Sequence, residues 1–133
     1  MKEPLEDIQV IGLGQASLDH LGRVKEFPEE DDKAELLDLN IQCGGPASTA
    51  LVTLSRLGIR ASFLGSISDD LFGIEILKGL EEEKVDFTFL KITPGHTSHF
   101  AFISITENNG NRTVFWNRGS VPPLQPGDVD ISL

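Results

Sequence analysis

Positive charge is scarce in this 133-residue chain, in which 11 lysines and arginines stand against 21 aspartates and glutamates. The formal net charge is −10, and such an excess of carboxylates repels phosphate backbones and anionic lipid. Nucleic acid and membrane surfaces are therefore excluded as first candidates for a partner. A single cysteine, Cys43, cannot close an intramolecular disulfide, which excludes a secreted disulfide scaffold.

Long apolar runs and processing signals are also missing. No uninterrupted apolar stretch approaches the roughly 18 residues that cross a bilayer, and residues 1–7 lack the basic and apolar regions of a signal peptide. We therefore expect a cytoplasmic protein that does not act at a membrane. The three histidines and Cys43 show no zinc-site spacing, so we expect no metal ligands in this chain.

The first 92 residues alternate between short apolar strands and amphipathic helices. Apolar runs at residues 8–14, 59–67 and 85–92 predict three buried strands. Two segments with apolar residues at helical spacing lie between them. A strand–helix–strand order at such short intervals predicts an α/β fold with a parallel sheet. At 133 residues, the chain has the length of one domain.

Both predicted helices have recognisable ends. The first begins at Pro46, which suits the first helical position, and ends before Gly58. The second is predicted to be capped by Ser68 or Asp69. The predicted buried stripes are Ala47, Ala50, Leu51, Leu54 and Leu57 in the first helix, and Leu71, Ile74, Leu77 and Leu80 in the second.

A second, smaller sheet is predicted from four segments that lie far apart in the sequence. The segments are 18–24, 34–42, 100–105 and 113–116. The first two alternate apolar and polar residues, and the last two flank an Asn-Gly turn typical of a hairpin. We expect them to form one antiparallel sheet with an apolar face. Residues 120–127 then form a non-helical connector, and residues 128–133 have no obvious partner.

Polar residues and glycines gather where the predicted strands and helices meet. Asp19 follows the first strand, where its two carboxylate oxygens can accept hydrogen bonds from a vicinal diol; a turn-capping role is the alternative. Gly44 and Gly45 leave the backbone bare at a helix start, and Thr49 adds a hydroxyl one turn later; an ordinary helix start is the alternative. The glycine turn at 12–14 is not followed by a helix, so it lacks the mechanism of a dinucleotide site.

Several sequence blocks, in matching order and at matching spacing, resemble the ribokinase-like (PfkB) carbohydrate kinases over nearly the whole chain. The blocks are the segment from Gly12 to Asp19, Gly44-Gly45-Pro46-Ala47-Ser48-Thr49-Ala50, Arg56-Leu57-Gly58, and Phe63-Leu64-Gly65-Ser66-Ile67-Ser68-Asp69-Asp70-Leu71-Phe72-Gly73. The later block Asn109-Gly110-Asn111-Arg112-Thr113 is similar in particular to the ketohexokinase branch of that family.

The resemblance implies a kinase that uses ATP and Mg²⁺ to phosphorylate a sugar hydroxyl. It implies a parallel Rossmann-like α/β sheet that carries a small antiparallel β lid. By position, Asp19 matches the aspartate that binds the substrate diol, and Gly44 and Gly45 match the two glycines beside the sugar. Thr49 stands where most members have an asparagine, which leaves the identity of the sugar open. Arg112 matches an arginine that faces a nucleotide phosphate.

The same resemblance implies that the chain is the N-terminal, truncated part of a kinase domain over residues 1–133. The lid would comprise residues 17–42 and 97–119, and the α/β part residues 7–16 and 44–92. In the family, the catalytic base and most of the ATP site follow in a Gly-x-Gly-Asp segment, which is not found here. We therefore expect no catalytic base and no turnover from this chain alone; a non-catalytic sugar-binding or oligomerisation module is the alternative. Lids of the family pack on each other, which implies a homodimer.

Overall fold

A computed structural model describes residues 7–129, which contain eight β-strands and two α-helices. The strands are β1 (Val10–Leu13), β2 (Ser17–Val24), β3 (Leu36–Gly44), β4 (Ala61–Leu64), β5 (Ser66–Ile67), β6 (Lys91–Ile92), β7 (Phe100–Thr106) and β8 (Arg112–Asn117). The helices are α1 (Pro46–Arg56) and α2 (Leu71–Glu82). Within the described residues, neither helix has the length and apolar character needed to cross a membrane.

A parallel strand pair and the two helices enclose the main hydrophobic core. β1 pairs with β4 in parallel, and every residue of β4 is buried. Phe63 on β4 packs in one cluster with Leu51 of α1 and Ile76 of α2. Full burial of each such side chain contributes about 1.5–3 kcal/mol to folding. The parallel pairing confirms the predicted α/β layer.

Helix α1 begins and ends where the sequence predicts. Gly45 is its N-cap with a φ of 98°, Pro46 opens the first turn, and Gly58 follows the helix with a φ of 85°. Both positive φ values favour glycine, because a Cβ strains that backbone conformation. The predicted buried stripe is correct at Leu51 but wrong at Ala50, which is exposed. It is also wrong at Leu57, which is 74% exposed because the helix has already ended.

Helix α2 differs from its prediction in both its cap and its buried face. Its N-cap is Asp70, whose carboxylate accepts a hydrogen bond from Gly73 N at 2.9 Å. Ser68 and Asp69, the predicted caps, bond instead to the loop before β7. Leu71 and Ile74, both predicted to be buried, are 79% and 47% exposed. The buried residues of the helix are Gly73, Ile76 and Leu80.

Two predicted strands are shorter in the structure than their apolar runs. The run at 59–67 is split into β4 and β5 at Gly65, where an added Cβ would come within 2.7 Å of the Phe63 ring. The run at 85–92 forms only an isolated bridge at Asp86 and the two-residue strand β6. Asp86 accepts a hydrogen bond from Thr88 N at 2.8 Å, and this local turn ends the pairing.

The other four strands form one sheet in the order β3-β2-β7-β8. Its outer pairs are antiparallel hairpins, but its central pair, β2 with β7, is parallel. The prediction of a fully antiparallel sheet is therefore wrong at the centre, because both hairpins leave the α/β layer in the same direction. The Asn-Gly turn closes the second hairpin as predicted, with Gly110 at a φ of 70° and Thr106 N donating to Asn111 O at 2.8 Å.

A hydrogen-bond network ties the base of the β7–β8 hairpin to the start of α2. Asp70 accepts hydrogen bonds from Ser98 Oγ at 2.6 Å and from Ser98 N at 2.9 Å. Ser98 Oγ in turn accepts from Ser68 N at 2.8 Å. Burial alone would raise the pKa of Asp70, but these hydrogen bonds outweigh burial and hold that pKa below its usual value. After the hairpin, Ser120 N donates to Thr97 O at 2.9 Å, so both ends of the hairpin are fixed.

The C-terminal connector is attached to the α/β layer. Residues 120–127, predicted to be non-helical, run into a 3-10 turn at Pro126–Asp128. Asp128 pairs with Lys91 Nζ at 2.6 Å, so the expectation that residues 128–133 have no partner is wrong at this position. Residues 130–133 of that segment lie outside the described residues.

Candidate functional site

A cavity of about 510 Å³ opens beside the first turn of α1. Asp19 of β2 and Gly44 of β3 line it together with Gly45 and Thr49 at the start of α1. The four residues that the sequence selects for substrate binding therefore share one cavity. Its far end is formed by the C-terminal half of α2.

The Asp19 carboxylate lies directly against the Gly44 backbone. A Cβ added to Gly44 would overlap Asp19 Oδ2, so only glycine leaves room for the carboxylate in this position. Ser17 Oγ donates a hydrogen bond of 2.7 Å to the other carboxylate oxygen, Asp19 Oδ1. Ser17 precedes Asp19 by two positions on β2 and so shares its face. This period-two spacing is visible in the sequence, but Ser17 is not among the site residues predicted from it.

Gly45 allows the start of α1 to lie against the turn between β1 and β2. A Cβ on Gly45 would approach Gln15 O to 2.6 Å and Ala16 Cα to 2.8 Å. In the first turn of the helix, Ser48 N donates to Gln15 O at 3.4 Å, and the Ser48 hydroxyl donates to Gly44 O. One of the N–H groups in the first turn of α1 is therefore already hydrogen-bonded within the chain, so fewer remain for a ligand than the sequence predicts.

Thr49 is exposed on the rim of the cavity, one turn into α1. Its backbone is engaged in the helix, because Thr49 N donates to Gly45 O at 3.0 Å and Thr49 O accepts from the Thr53 hydroxyl at 2.9 Å. The Thr49 hydroxyl is therefore the part of this residue that a ligand can reach.

Cys43 forms part of the cavity wall next to Gly44, but its thiol is turned towards α2. Cys43 Sγ donates to Glu75 O at 3.4 Å, and an added Cβ at Gly79 would overlap the sulfur. Burial raises the pKa of the Cys43 thiol, and the negative charges of nearby carboxylates raise it further. The thiol therefore stays protonated near neutral pH and is a weak nucleophile.

An ion pair between the two helices closes the far end of the cavity. Arg56 at the end of α1 binds the carboxylate of Glu83 after α2, with Arg56 Nε 2.7 Å from Glu83 Oε2. The hydrogen bond from Arg56 lowers the pKa of Glu83. Ser55 Oγ also donates to Glu83 O at 2.6 Å. These contacts join the C-terminal ends of the two helices at the edge of the cavity.

Arg112 is not brought to this cavity. It begins β8, pairs with Ile105 across the hairpin and is exposed. The walls of the 510 Å³ cavity do not include it. Its predicted contact with a nucleotide phosphate therefore needs a nucleotide that lies outside this cavity.

A second cavity, of about 340 Å³, lies on the other side of the turn that follows β1. Gly14 and Gln15 form one wall, and His99 and Arg118 approach from the β7–β8 hairpin. Neither side chain is among the site residues predicted from the sequence. Arg118 lies directly after a strand whose residues are all exposed, so no periodic pattern distinguished it from a surface arginine.

The resemblance implies Mg²⁺ and ATP, but residues 7–129 do not contain a complete set of binding residues for either. No group of three or more His, Cys, Asp or Glu side chains is arranged to hold a metal ion in this part of the chain. Arg112 is the only residue that the sequence analysis assigns to the nucleotide, and it lies on an exposed strand. We therefore derive no catalytic step through either group from these residues.

The fold defines the class of protein. A ribokinase from Cryptococcus neoformans var. grubii, solved in complex with ADP, superimposes on 94% of this chain with a TM-score of 0.78 at 19% sequence identity. The chain covers 39% of that ribokinase. The structure is thus a ribokinase-like α/β fold with a separate small sheet, which confirms the predicted fold class.

Sequence comparison gives the family. The chain belongs to the pfkB family of carbohydrate kinases, because the family model for pfkB carbohydrate kinases matches residues 7–129. A 5-dehydro-2-deoxygluconokinase from Mesomycoplasma hyopneumoniae is 36% identical over 68% of this chain, and the mouse ketohexokinase is 25% identical over 95% of it. The chain spans 26% and 42%, respectively, of the length of these two relatives.

Proposed function

We propose that this chain supplies the sugar-binding half-site and the lid of a kinase that transfers phosphate from ATP to a sugar hydroxyl. The observation that carries the proposal is the shared cavity of Asp19, Gly44, Gly45 and Thr49. The names of the relatives above denote kinases of small sugars or sugar derivatives, which supports this substrate class. We expect the protein to act in the cytoplasm, where it has access to soluble sugars.

Each side chain has a separate task in the proposed site. The ionised Asp19 carboxylate accepts two hydrogen bonds from a vicinal diol, since both of its oxygens are acceptors. Ser17 holds one of these oxygens in place through its 2.7 Å hydrogen bond. Gly44 and Gly45 let the sugar ring approach the backbone, and the Thr49 hydroxyl contacts a further sugar hydroxyl. Together these groups position the sugar and leave the phosphoryl transfer itself to other residues.

The transfer chemistry is proposed to come from outside these 133 residues. Phosphoryl transfer requires a positioned base and cations around the phosphates, and the Gly-x-Gly-Asp segment that the family uses for this purpose does not occur in the sequence. ATP and Mg²⁺ are therefore proposed for the complete kinase, with Arg112 contributing to nucleotide phosphate binding. The chain alone is proposed to bind sugar without turning over ATP.

Titration of the chain with D-fructose and D-ribose, followed by NMR, tests this proposal. We expect Asp19→Asn to weaken binding of the preferred sugar about tenfold, because a charge-assisted hydrogen bond to the diol is lost. We expect no sugar-dependent ADP formation by the chain alone. Asp31→Asn is the matched control, since Asp31 is an exposed loop residue outside the cavity.

Three results would count against the proposal. Equal affinities of the Asp19→Asn variant and the unchanged chain would remove Asp19 from the substrate site. ADP formation that depends on sugar and is lost in Asp19→Asn would show that the chain already contains the transfer machinery. Sugar binding without phosphoryl transfer, even after a polypeptide that contains the Gly-x-Gly-Asp segment is added, would favour a non-catalytic binding module.

We propose that the four-stranded sheet, with its connecting residues 17–42 and 97–119, is the lid, and that residues 7–16 and 44–92 are the α/β part. The two edge strands of this sheet carry large exposed apolar side chains. These are Leu36, Leu37, Leu39 and Ile41 on β3, and Val114, Phe115 and Trp116 on β8. An apolar patch of this kind on a small sheet favours coverage by a second copy of the chain, as expected for lids of this family.

Sedimentation equilibrium at micromolar concentration is expected to show a homodimer. Leu39→Glu should shift the chain to a monomer, because it places a charge in the proposed interface. Thr88→Glu adds the same charge at an exposed position outside the four-stranded sheet and is expected to preserve the dimer. A monomeric unchanged chain would contradict dimerisation through the lid.

A further inference from the structure

β3 is an edge strand of the four-stranded sheet, and the direction of its backbone groups follows from its neighbour β2. Leu18 N, at the start of the β2–β7 pairing, donates to His99 O at 3.1 Å, so Leu18 directs its backbone groups towards β7. Backbone direction alternates along a strand, which makes the next residue, Asp19, bond to β3. Asp19 pairs with Gln42, so Gln42 directs its own backbone groups inwards, to β2.

The same alternation directs the N–H and C=O groups of Leu39 and Ile41 away from the sheet. Pairing between β2 and β3 is regular from Asp38 to Gly44, so the alternation holds over this segment. At Ile41 the edge also borders the open space of the 510 Å³ cavity. In the part of the chain that the structure describes, these outward backbone groups have no partner strand, and a further strand can reach them.

The segment Asp38–Gln42 lacks the features that normally protect an exposed sheet edge. Edge strands often carry proline, lysine or an uncompensated charge, which prevents another strand from pairing with them. This segment contains no proline and no lysine, and its one charged residue, Asp38, is paired with Arg23 of β2 at 2.7 Å. In a chain of net charge −10, this neutral part of the edge favours pairing with another strand.

Leu39 and Ile41 also expose apolar side chains beside this edge. Their exposed fractions are 50% and 51%. Both side chains lie on the face of the sheet opposite to that of Asn40 and Gln42, because side chains alternate along a strand. A strand that pairs with this edge therefore gains apolar contacts on one face in addition to backbone hydrogen bonds.

We propose that β3 pairs with β3 of a second copy of the chain, antiparallel and centred on Asn40, so that the two four-stranded sheets become one continuous sheet. The inference rests on the lid dimer proposed above and names the contact that forms it. In this register Leu39 exchanges backbone hydrogen bonds with the partner's Ile41, and Ile41 does so with the partner's Leu39. Asn40 lies opposite the partner's Asn40, as a twofold axis requires.

The register brings complementary side chains together on the face of Asn40. Gln42 lies opposite the partner's Asp38, where its amide donates to a carboxylate that only accepts. Arg23 binds Asp38 through Oδ2, which leaves Oδ1 for the partner's Gln42. The symmetry of the dimer forms this contact twice. A second copy of the chain thus fits the edge in its polar as well as its apolar side chains.

Neighbouring registers match the polar side chains less well. A register centred on Leu39 places Gln42 opposite the partner's Leu36, beyond the irregularity that interrupts the pairing of β3. A register centred on Ile41 places Asp38 opposite the partner's Gly44, which has no side chain to bind it. Only with Asn40 at the centre does each polar side chain of the segment Asp38–Gln42 meet another polar side chain.

Amide exchange at Ile41 distinguishes edge pairing from other contacts between two lids. We expect the Ile41 N–H, followed by NMR, to exchange at least about tenfold more slowly in the unchanged chain than in the monomeric variant Leu39→Glu. The Asn40 N–H points towards β2 in both forms and is the internal reference. Its exchange should differ little between the two proteins.

Gln42→Glu tests the register, because it places a carboxylate opposite the partner's Asp38. We expect this variant to weaken dimerisation about tenfold in sedimentation equilibrium, since the repulsion occurs twice in the symmetric dimer. The double variant Asp38→Asn/Gln42→Glu again places a donor opposite a carboxylate and should restore dimerisation. That rescue would separate repulsion between copies from repulsion by Asp19 within one copy. Gln125→Glu adds the same charge at an exposed position outside the sheet and should leave the dimer unchanged.

The outcomes separate this contact from the dimer itself. A dimer in which Ile41 exchanges as fast as in Leu39→Glu would overturn edge pairing and leave a lid dimer standing. Dimerisation of Leu39→Glu as tight as that of the unchanged chain would also overturn edge pairing. Slow exchange at Ile41 with unchanged dimerisation of Gln42→Glu would overturn the register centred on Asn40. A monomeric unchanged chain would overturn this inference together with the proposed dimer, and the sugar titration of Asp19→Asn would still decide the proposed half-site.

Discussion

Replacing Gly44 by alanine is expected to weaken sugar binding about a hundredfold while the chain still folds. An alanine Cβ would overlap Asp19 Oδ2, and the side chain of Asp19 can rotate away more easily than the strand can move. The rotated carboxylate would lose its hydrogen bond from Ser17 and its two hydrogen bonds to the sugar diol. Loss of two charge-assisted hydrogen bonds costs about 3 kcal/mol, which corresponds to about two orders of magnitude in affinity.

The comparison needs both a binding and a stability measurement. NMR titration gives the affinity, and urea denaturation gives the free energy of unfolding. Gly127→Ala is the matched control, because an added Cβ there meets no atom within 4 Å. Unchanged sugar affinity in Gly44→Ala would mean that the position of the Asp19 carboxylate does not matter for binding.

Gly73→Ala is expected to lower the free energy of unfolding by about 3 kcal/mol. In an exposed helix this substitution stabilises by up to about 1 kcal/mol, because alanine is the better helix former. Here an added Cβ would overlap Ser68 O and reach 3.0 Å from Ser98 Oγ, so the start of α2 must move. That movement breaks the cap between Gly73 N and Asp70, and overpacking and the lost cap each cost about 1–2 kcal/mol.

Urea denaturation of the variant measures this effect directly. Gly127→Ala again controls for the loss of backbone freedom at an open position, and its free energy of unfolding should change by less than about 0.5 kcal/mol. An increase in stability for Gly73→Ala would show that helix propensity outweighs the contact with Ser68. The contact with Ser68 would then not determine the position of the start of α2.

Local signals in the sequence were sufficient for α1 and for the second hairpin. Pro46 and Gly58 mark the ends of α1, since each acts through the backbone of its own turn. Gly110 in the Asn-Gly turn closes β7 on β8 in the same local way. Such residues determine structure within a few positions, so they can be read without knowledge of the rest of the fold.

Features that depend on distant contacts could not be read in this way. The cap of α2 is Asp70 because Ser98, far along the chain, shares its carboxylate. Leu71 has the spacing of a buried residue but is exposed, since the packing of α2 is set by Gly73 and its close contact with Ser68. The parallel pairing of β2 with β7 likewise follows from the path of the chain between them, and residue alternation is the same in parallel and antiparallel strands.

The candidate site shows the same division. Asp19, Gly44, Gly45 and Thr49 were selected from short motifs, and the structure places all four in one cavity. Ser17 was missed, because only the structure shows that its hydroxyl donates a hydrogen bond to the Asp19 carboxylate. The binding roles of Asp19 and Gly44 are predictions that the variants above address.

The parallel centre of the four-stranded sheet also affects how the protein folds. Arg23, on β2 at this centre, forms an ion pair with Glu107, and the two residues are 84 positions apart. The chain between them must therefore be closed into a loop first. The β2–β3 hairpin leaves the ribosome long before β7 does, and its apolar residues then have no partner strand on one side. We expect the α/β layer to form first and to act as the template that aligns the two hairpins, which makes sheet assembly the slow step of folding.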